Sequence, residues 1–252
     1  MSPQSRKDAR ATLRAALTCA VEEEIITRNP VAVIRVPALR KSKRRVWIVD
    51  EARRFLESAR HDCDPLYAAY VLIVVLGLRK GEVLGLTWDR VDLDAAELYV
   101  AEQLQRIKGP LIRRPVKTES SQAPLPLPEL CVTALKLRHE RQAADREQAG
   151  GRWIDTGLVL TTRHGTPVEP RNFDRSFERR ITTAGVPRIT RHSTRKTCGS
   201  LLAALDVHPR VAMQILRHSR VAITMEIYTE VPSASTREAL RKLGQWLEDT
   251  QT

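Results

Sequence analysis

Apolar side chains recur at helical spacing along most of this chain, with one break near the middle. Leu13, Leu17, Val21 and Ile25 lie on one face with Ala16 and Ala20 beside them, which predicts a helix over 5–26 that Asn29-Pro30 stops. Asp50 is placed to cap a helix over about 51–61. Pro65 then opens a segment that is apolar on every side as far as Gly77, the mark of a buried helix, and a further helix runs from Arg79 to about Thr87. From Val91 to about Pro126 the period shortens toward two and turn residues such as Gly109-Pro110 appear, so a small antiparallel sheet with hairpins is expected there. Pro128 starts a long helix to about Ala149, which Gly150-Gly151 ends. After an extended piece at 157–161 and a His164-Gly165 turn, helices are expected at 170–184, 192–205, 208–217, 221–229 and 235–248. Leu240, Leu243 and Leu247 make the last one amphipathic. The predicted class is α+β, mainly α.

A lone amphipathic helix cannot bury its own stripe. The helix over 5–26 has no helical neighbour before the polar stretch at 38–45, so residues 1–37 read as the last part of a domain whose earlier part is missing. Residues 38–45 read as a linker, and 46–252 as one larger domain. The apolar run from Tyr67 to Leu78 is far too short to span a bilayer.

Charge narrows the partner. The formal net charge is +12, and eleven Lys or Arg face four Asp or Glu within residues 1–45. Such a balance attracts polyanions, nucleic acid first among them. Arg40, Lys41, Lys43, Arg44 and Arg45 form the densest run and suit a strap across a phosphate backbone. Cys19, Cys63, Cys131 and Cys198 are widely spaced and make no metal-ligand pattern, so they read as reduced thiols of a cytoplasmic protein.

Three polar constellations carry the candidate chemistry. The first is Gly77-Leu78-Arg79-Lys80-Gly81-Glu82, where an apolar helix delivers an arginine at a glycine turn and Glu82 lies one turn on, placed to orient it. In the second, His192 and Arg195 share one helix face. The third runs from Leu216-Arg217-His218 to Tyr228. On one unbroken helix His218 and Tyr228 would stand ~15 Å apart, so a turn near Ser219 must fold the segment for both to reach one centre. With Lys117 on the hairpin region (Lys108 is a rival there), these groups fit metal-free cleavage of a phosphodiester. Guanidiniums neutralise phosphoryl oxygens, a lysine or histidine protonates the leaving oxygen, and a phenol attacks. Two arginines nearby are expected to favour the phenolate. His164 and His208 match no constellation and read as surface turn residues, Trp88 as core. Arg217 and Arg220 read equally well as phosphate contacts or as solvated charges.

Together these boxes resemble the tyrosine recombinase (phage integrase) family over residues 46–232, and residues 5–37 look like the end of that family's core-binding domain. The resemblance implies a helical catalytic domain with a small sheet. Arg79, Lys117, His192, Arg195 and His218 would be its catalytic groups, Tyr228 its nucleophile and Glu82 the acid supporting the first arginine. It also implies strand cutting and rejoining of double-stranded DNA through a covalent 3′-phosphotyrosine, without ATP, metal or other cofactor. Protomers would work together in a tetrameric synapse on DNA, linked through the last helix. Two spellings depart from the pattern. Arg217 stands where the residue before the third-box histidine is usually glycine, and Ser193-Thr194-Arg195-Lys196-Thr197 stands where Asp-Leu-Arg-His-Thr is usual. Two rival expectations remain open at this point: a DNA-binding relic that no longer recombines, and a type IB topoisomerase.

Overall fold

The computed structural model describes residues 3–34, 45–107, 109–116, 124–217 and 221–228. The chain divides into two compact units, residues 1–44 and 45–252.

In the first unit, α1 (Pro3–Glu22) is shorter than its hydrophobic period predicts. Glu24 turns into the left-handed region (φ 59°), which ends the helix before Ile25. The returning chain is tied down by the Asn29 side-chain amide, which donates to the Arg14 carbonyl and to Thr18 Oγ1, both at 2.9 Å. Leu13 and Ile25 stay exposed.

The second unit starts on Trp47. It is 1% exposed, and its ring packs tilted against Phe55 of α2 (Val49–His61), centroids 4.7 Å apart. Few aromatics are present, but all three Phe residues gather here: Phe55, Phe173 and Phe177 surround Tyr70. The cap of α2 is not Asp50 as expected. Ile48 is the N-cap, and Glu51 reaches back to accept the Ile48 N–H at 3.1 Å.

Helix α3 (Tyr67–Val75) is buried from Tyr67 to Val74, as its all-round apolarity requires, and packs on α2 and on the later helices Glu129–Ala149 and Arg191–Ala204. Gly77 (φ 60°) breaks it, and α4 (Lys80–Gly85) follows. The strands form two separate antiparallel sheets where one was expected. In the first, β2 (Glu97–Tyr99) lies between β1 (Val91–Asp92) and β5 (Pro124–Pro126), with Leu98 opposite both Val91 and Leu125. The second is the hairpin of β3 (Glu102–Arg106) and β4 (Leu111–Pro115).

Helix α5 (Glu129–Ala149) ends at Gly150 (φ 53°). Its buried Arg138 and Gln142 hold the extended 158–161 segment, donating to the Val159 and Leu158 carbonyls at 2.9 Å each. Four helices complete the described chain: α6 (Pro170–Thr183), α7 (Arg191–Ala204), α8 (Pro209–Leu216) and α9 (Val221–Tyr228). The expected helix at 235–248 lies outside the described residues. No described helix is long and apolar enough to cross a membrane.

Helix α4 sits close on β3 because both its glycines face that strand. A Cβ at Gly81 would meet the Leu104 carbonyl oxygen at 3.1 Å, and one at Gly85 would meet Leu104 N at 2.9 Å. Those atoms are backbone and cannot move aside cheaply. Gly85→Ala is therefore expected to destabilise the fold by about 1–3 kcal/mol despite alanine's better helix propensity, read as a lower Tm. An unchanged or raised Tm would show that α4 can shift freely.

Candidate active site

Arg79 is the N-cap of α4, in extended conformation (φ −74°, ψ 147°) directly after the Gly77 turn. Glu82 fixes it twice. Glu82 Oε2 accepts the Arg79 backbone N–H at 2.8 Å, and Oε1 accepts Arg79 Nη1 at 2.6 Å. The Glu82 side chain is 2% exposed and that of Arg79 is 49% exposed, so the carboxylate is an anchor and the guanidinium faces outward. Helix α7, capped by Thr190 accepting from the Ser193 N–H, carries the buried Arg195. Arg195 Nη1 donates to the Gly77 carbonyl at 2.6 Å, tying the second arginine to the turn that presents the first. The Trp47 N–H donates to Thr197 Oγ1 at 3.1 Å and so pins α7 from the opposite side.

Arg217 is neither solvated nor free for phosphate, as the sequence had left open. Its side chain is 1% exposed, and Nη2 donates to Glu82 Oε2 at 2.6 Å. Its backbone is left-handed (φ 49°, ψ 51°) at the C-cap of α8. Glycine takes that conformation freely, which is a physical reason for glycine at such a position. An arginine there costs about 1–3 kcal/mol of backbone strain. A charge-assisted hydrogen bond of roughly 1.5–3 kcal/mol offsets it.

Three guanidiniums (Arg79, Arg195, Arg217) and one carboxylate (Glu82) thus meet, and their formal charges, three positive and one negative, sum to +2. Burial, then the like charges of Arg79 and Arg217, pushes Arg195 down to about 9. Burial likewise lowers Arg217, with Glu82 opposing. A buried cationic centre of this kind is relieved by an oxyanion.

Tyr228 ends α9, which packs against α7 and α8. Gly199 of α7 admits this packing, since a Cβ there would meet Ile227 Cδ1 at 2.7 Å. The expectation that arginines favour the Tyr228 phenolate does not hold in this conformation. The hydroxyl donates to the Val207 carbonyl at 2.6 Å, in the turn between α7 and α8. Burial and then Cys198 raise its pKa. Helix α8 ends at Leu216 and α9 begins at Val221, and the turn expected near Ser219 lies outside the described residues.

The structure therefore brings Arg79, Glu82 and Arg195 together, and adds Arg217. His192 stands one turn before Arg195 in α7, but its side chain lies outside the described residues. Lys117, Lys108, His218, Arg220 and Arg40, Lys41, Lys43 and Arg44 lie outside them too. Arg45 is exposed and bonds Glu51 Oε1 at 3.0 Å. His208 caps α8 by accepting the Arg210 N–H, and Trp88 is half-buried with Nε1 donating to Gln142 at 2.6 Å. Cys19 and Cys63 are exposed free thiols; Cys131 and Cys198 are buried, and burial pushes each up to about 12.

The second unit is thus a mainly helical domain in which one outward-facing arginine and two buried ones gather about a braced carboxylate, with a tyrosine on the helix after them. The family profile described as "Phage integrase family" matches residues 46–234, and the chain belongs to that family. A "Tyrosine recombinase XerC-like" protein of Caldanaerobacter subterraneus is 27% identical over 243 residues, covering 89% of this chain and 62% of that protein. An integrase of Streptomyces ambofaciens is 28% identical over 239 residues, covering 90% of this chain and 60% of that protein. The chain thus spans only about three fifths of the length of these relatives. Among solved structures, a Tn1549 transposon integrase in complex with a circular intermediate DNA superposes with TM-score 0.81 at 21% identity, covering 96% of this chain and 80% of that one. A lambda integrase dimer bound to a core site gives TM-score 0.58 at 22% identity, covering 90% and 59%.

The cationic centre predicts anion binding. At constant ionic strength, inorganic phosphate at about ten times its Kd is expected to raise the Tm by about 3–5 °C. Arg195→Gln is expected to lose most of that rise. An equal rise in both proteins would place the bound phosphate elsewhere.

Proposed function

We propose that this chain is the catalytic part of a site-specific DNA recombinase that cuts and rejoins strands through a covalent 3′-phosphotyrosine. The observation that carries the reading is the Arg79–Glu82–Arg195 centre of net positive charge, with Glu82 and Arg195 buried and Arg79 facing outward, within a chain of the phage integrase family.

In this mechanism Arg79 and Arg195 take the non-bridging oxygens of one phosphodiester in the forked geometry that lysine cannot copy. The Tyr228 oxygen forms a bond to phosphorus as the bond from phosphorus to the 5′ oxygen breaks. Lys117 gives the proton to that leaving oxygen, His192 holds or takes the phenolic proton, and His218 bonds a phosphoryl oxygen. The phosphotyrosine retains the energy of the broken linkage, so a new 5′ hydroxyl reverses the step with no external energy source. Two changes precede attack: the Tyr228 hydroxyl leaves the Val207 carbonyl, and its raised pKa is brought down by the phosphate-site cations.

The partner in this reading is double-stranded DNA in the cell's interior, gripped in part by Arg40, Lys41, Lys43, Arg44 and Arg45. Residues 1–37 would be the end of a core-binding domain. Protomers would join in a tetrameric synapse through the stripe Leu240, Leu243 and Leu247. An apolar groove between α2 and α7, lined by Val49, Leu56, Leu201 and Leu205, suits such a stripe from a second copy.

The test is a nicked duplex carrying the chain's own attachment site, read on a denaturing gel. Wild type should give a protein–DNA band, and Tyr228→Phe none while duplex binding is retained. Arg79→Ala and Arg195→Ala should each slow band formation by about 10²–10³-fold. Binding without any band from wild type would leave only a DNA-binding protein.

A further inference from the structure

Arg217 lies in the third box but holds none of the catalytic roles assigned there, and it is as deeply buried as the carboxylate that it holds. Glu82 Oε2 is shared between the Arg79 backbone N–H and Arg217 Nη2, while Oε1 takes the Arg79 guanidinium. Both partners of the Glu82–Arg217 pair are almost wholly inaccessible, at 2% and 1% exposure. Arg217 Nε and Nη1 are buried with no hydrogen-bond partner among the described residues, so Glu82 is what compensates this charge there. The side chain also sits on a left-handed backbone, where any residue but glycine is strained.

We infer that Arg217 is a positioning residue for strand cleavage, acting on Arg79 through Glu82. A carboxylate facing Arg79 alone would neutralise that guanidinium as a simple ion pair. Sharing its charge with Arg217 leaves more of the Arg79 charge for a phosphodiester. The second contact also locks the Glu82 rotamer, and with it the direction of Arg79. Arg217 does not itself touch DNA, because a side chain this buried offers a phosphate no approach. The inference rests on the strand-transfer reading above.

Arg217→Gly tests it, because glycine relieves the backbone strain while deleting the guanidinium. Covalent-complex formation on the nicked duplex, followed in a single turnover at saturating protein, should slow by about 10-fold or more. The Kd for that duplex and the slope of log K against log salt should stay at wild-type values, whereas loss of a phosphate contact would reduce the slope by about 1. Arg217→Lys should recover part of the rate and Arg217→Met none. A wild-type rate in the glycine variant overturns the inference, and so does a reduced salt slope. Should the glycine variant fail to fold, the lysine and methionine variants decide: lysine cleaving clearly faster supports it, and equal rates overturn it. Absence of a covalent complex from wild type defeats the strand-transfer reading first and this inference with it. Normal wild-type cleavage beside normal glycine-variant cleavage defeats this inference alone.

Discussion

One buried carboxylate organises this site. Glu82 accepts three hydrogen bonds, from the Arg79 backbone, the Arg79 guanidinium and Arg217. Removing a single charge from such a buried set leaves the remainder uncompensated, at a cost of about 3–5 kcal/mol. The carboxylate caps α4, aims the first arginine outward and links the end of α8 to the start of α4. Much of the surrounding fold keeps that carboxylate where it is. The apolar α3 sets the Gly77 turn, the two glycines of α4 let it lie on the β3 backbone, and Trp47 pins α7 so that Arg195 reaches the Gly77 carbonyl.

The proposed nucleophile is held differently. Arg79 and Arg195 are fixed by charge-assisted bonds to buried groups. Tyr228 is the last described residue of α9, and its hydroxyl rests on one backbone carbonyl. A single neutral hydrogen bond contributes roughly 0.5–1.5 kcal/mol, which substrate binding readily exceeds. In the proposed reaction this asymmetry separates a standing phosphate receptor from an attacking group that must be recruited. Burial raises the Tyr228 pKa in its present position, so a cationic environment has further to bring it down.

Most of the helices were legible because their apolar periods are long and their stops are Gly or Pro. The α3 helix and the Gly150 end of α5 follow directly from those signals. The cap of α2 was misread because Asp50 is a good cap by type, whereas Glu51 satisfies Ile48 from inside the helix. Pattern alone did not separate the two small sheets, since strands of 2 to 5 residues carry too little alternation to define partners. At the site, the Arg79–Glu82 spacing announced its own contact. Arg217 did not, because its partner lies 135 residues away. The available signal was an arginine at a position that favours glycine, together with a buried acid that the first arginine alone does not saturate. Tyr228 was legible as a residue but not in its placement, which depends on how α9 settles against α7.

The most direct test of the central role given to Glu82 is the single-turnover rate of covalent-complex formation by Glu82→Gln. Glutamine keeps the volume and one acceptor but drops the charge that both guanidiniums share. A loss of about 10²-fold or more, with duplex affinity retained, is the result this account predicts. A rate within about threefold of wild type in the folded variant would contradict it, because Arg79 would then need no anionic brace.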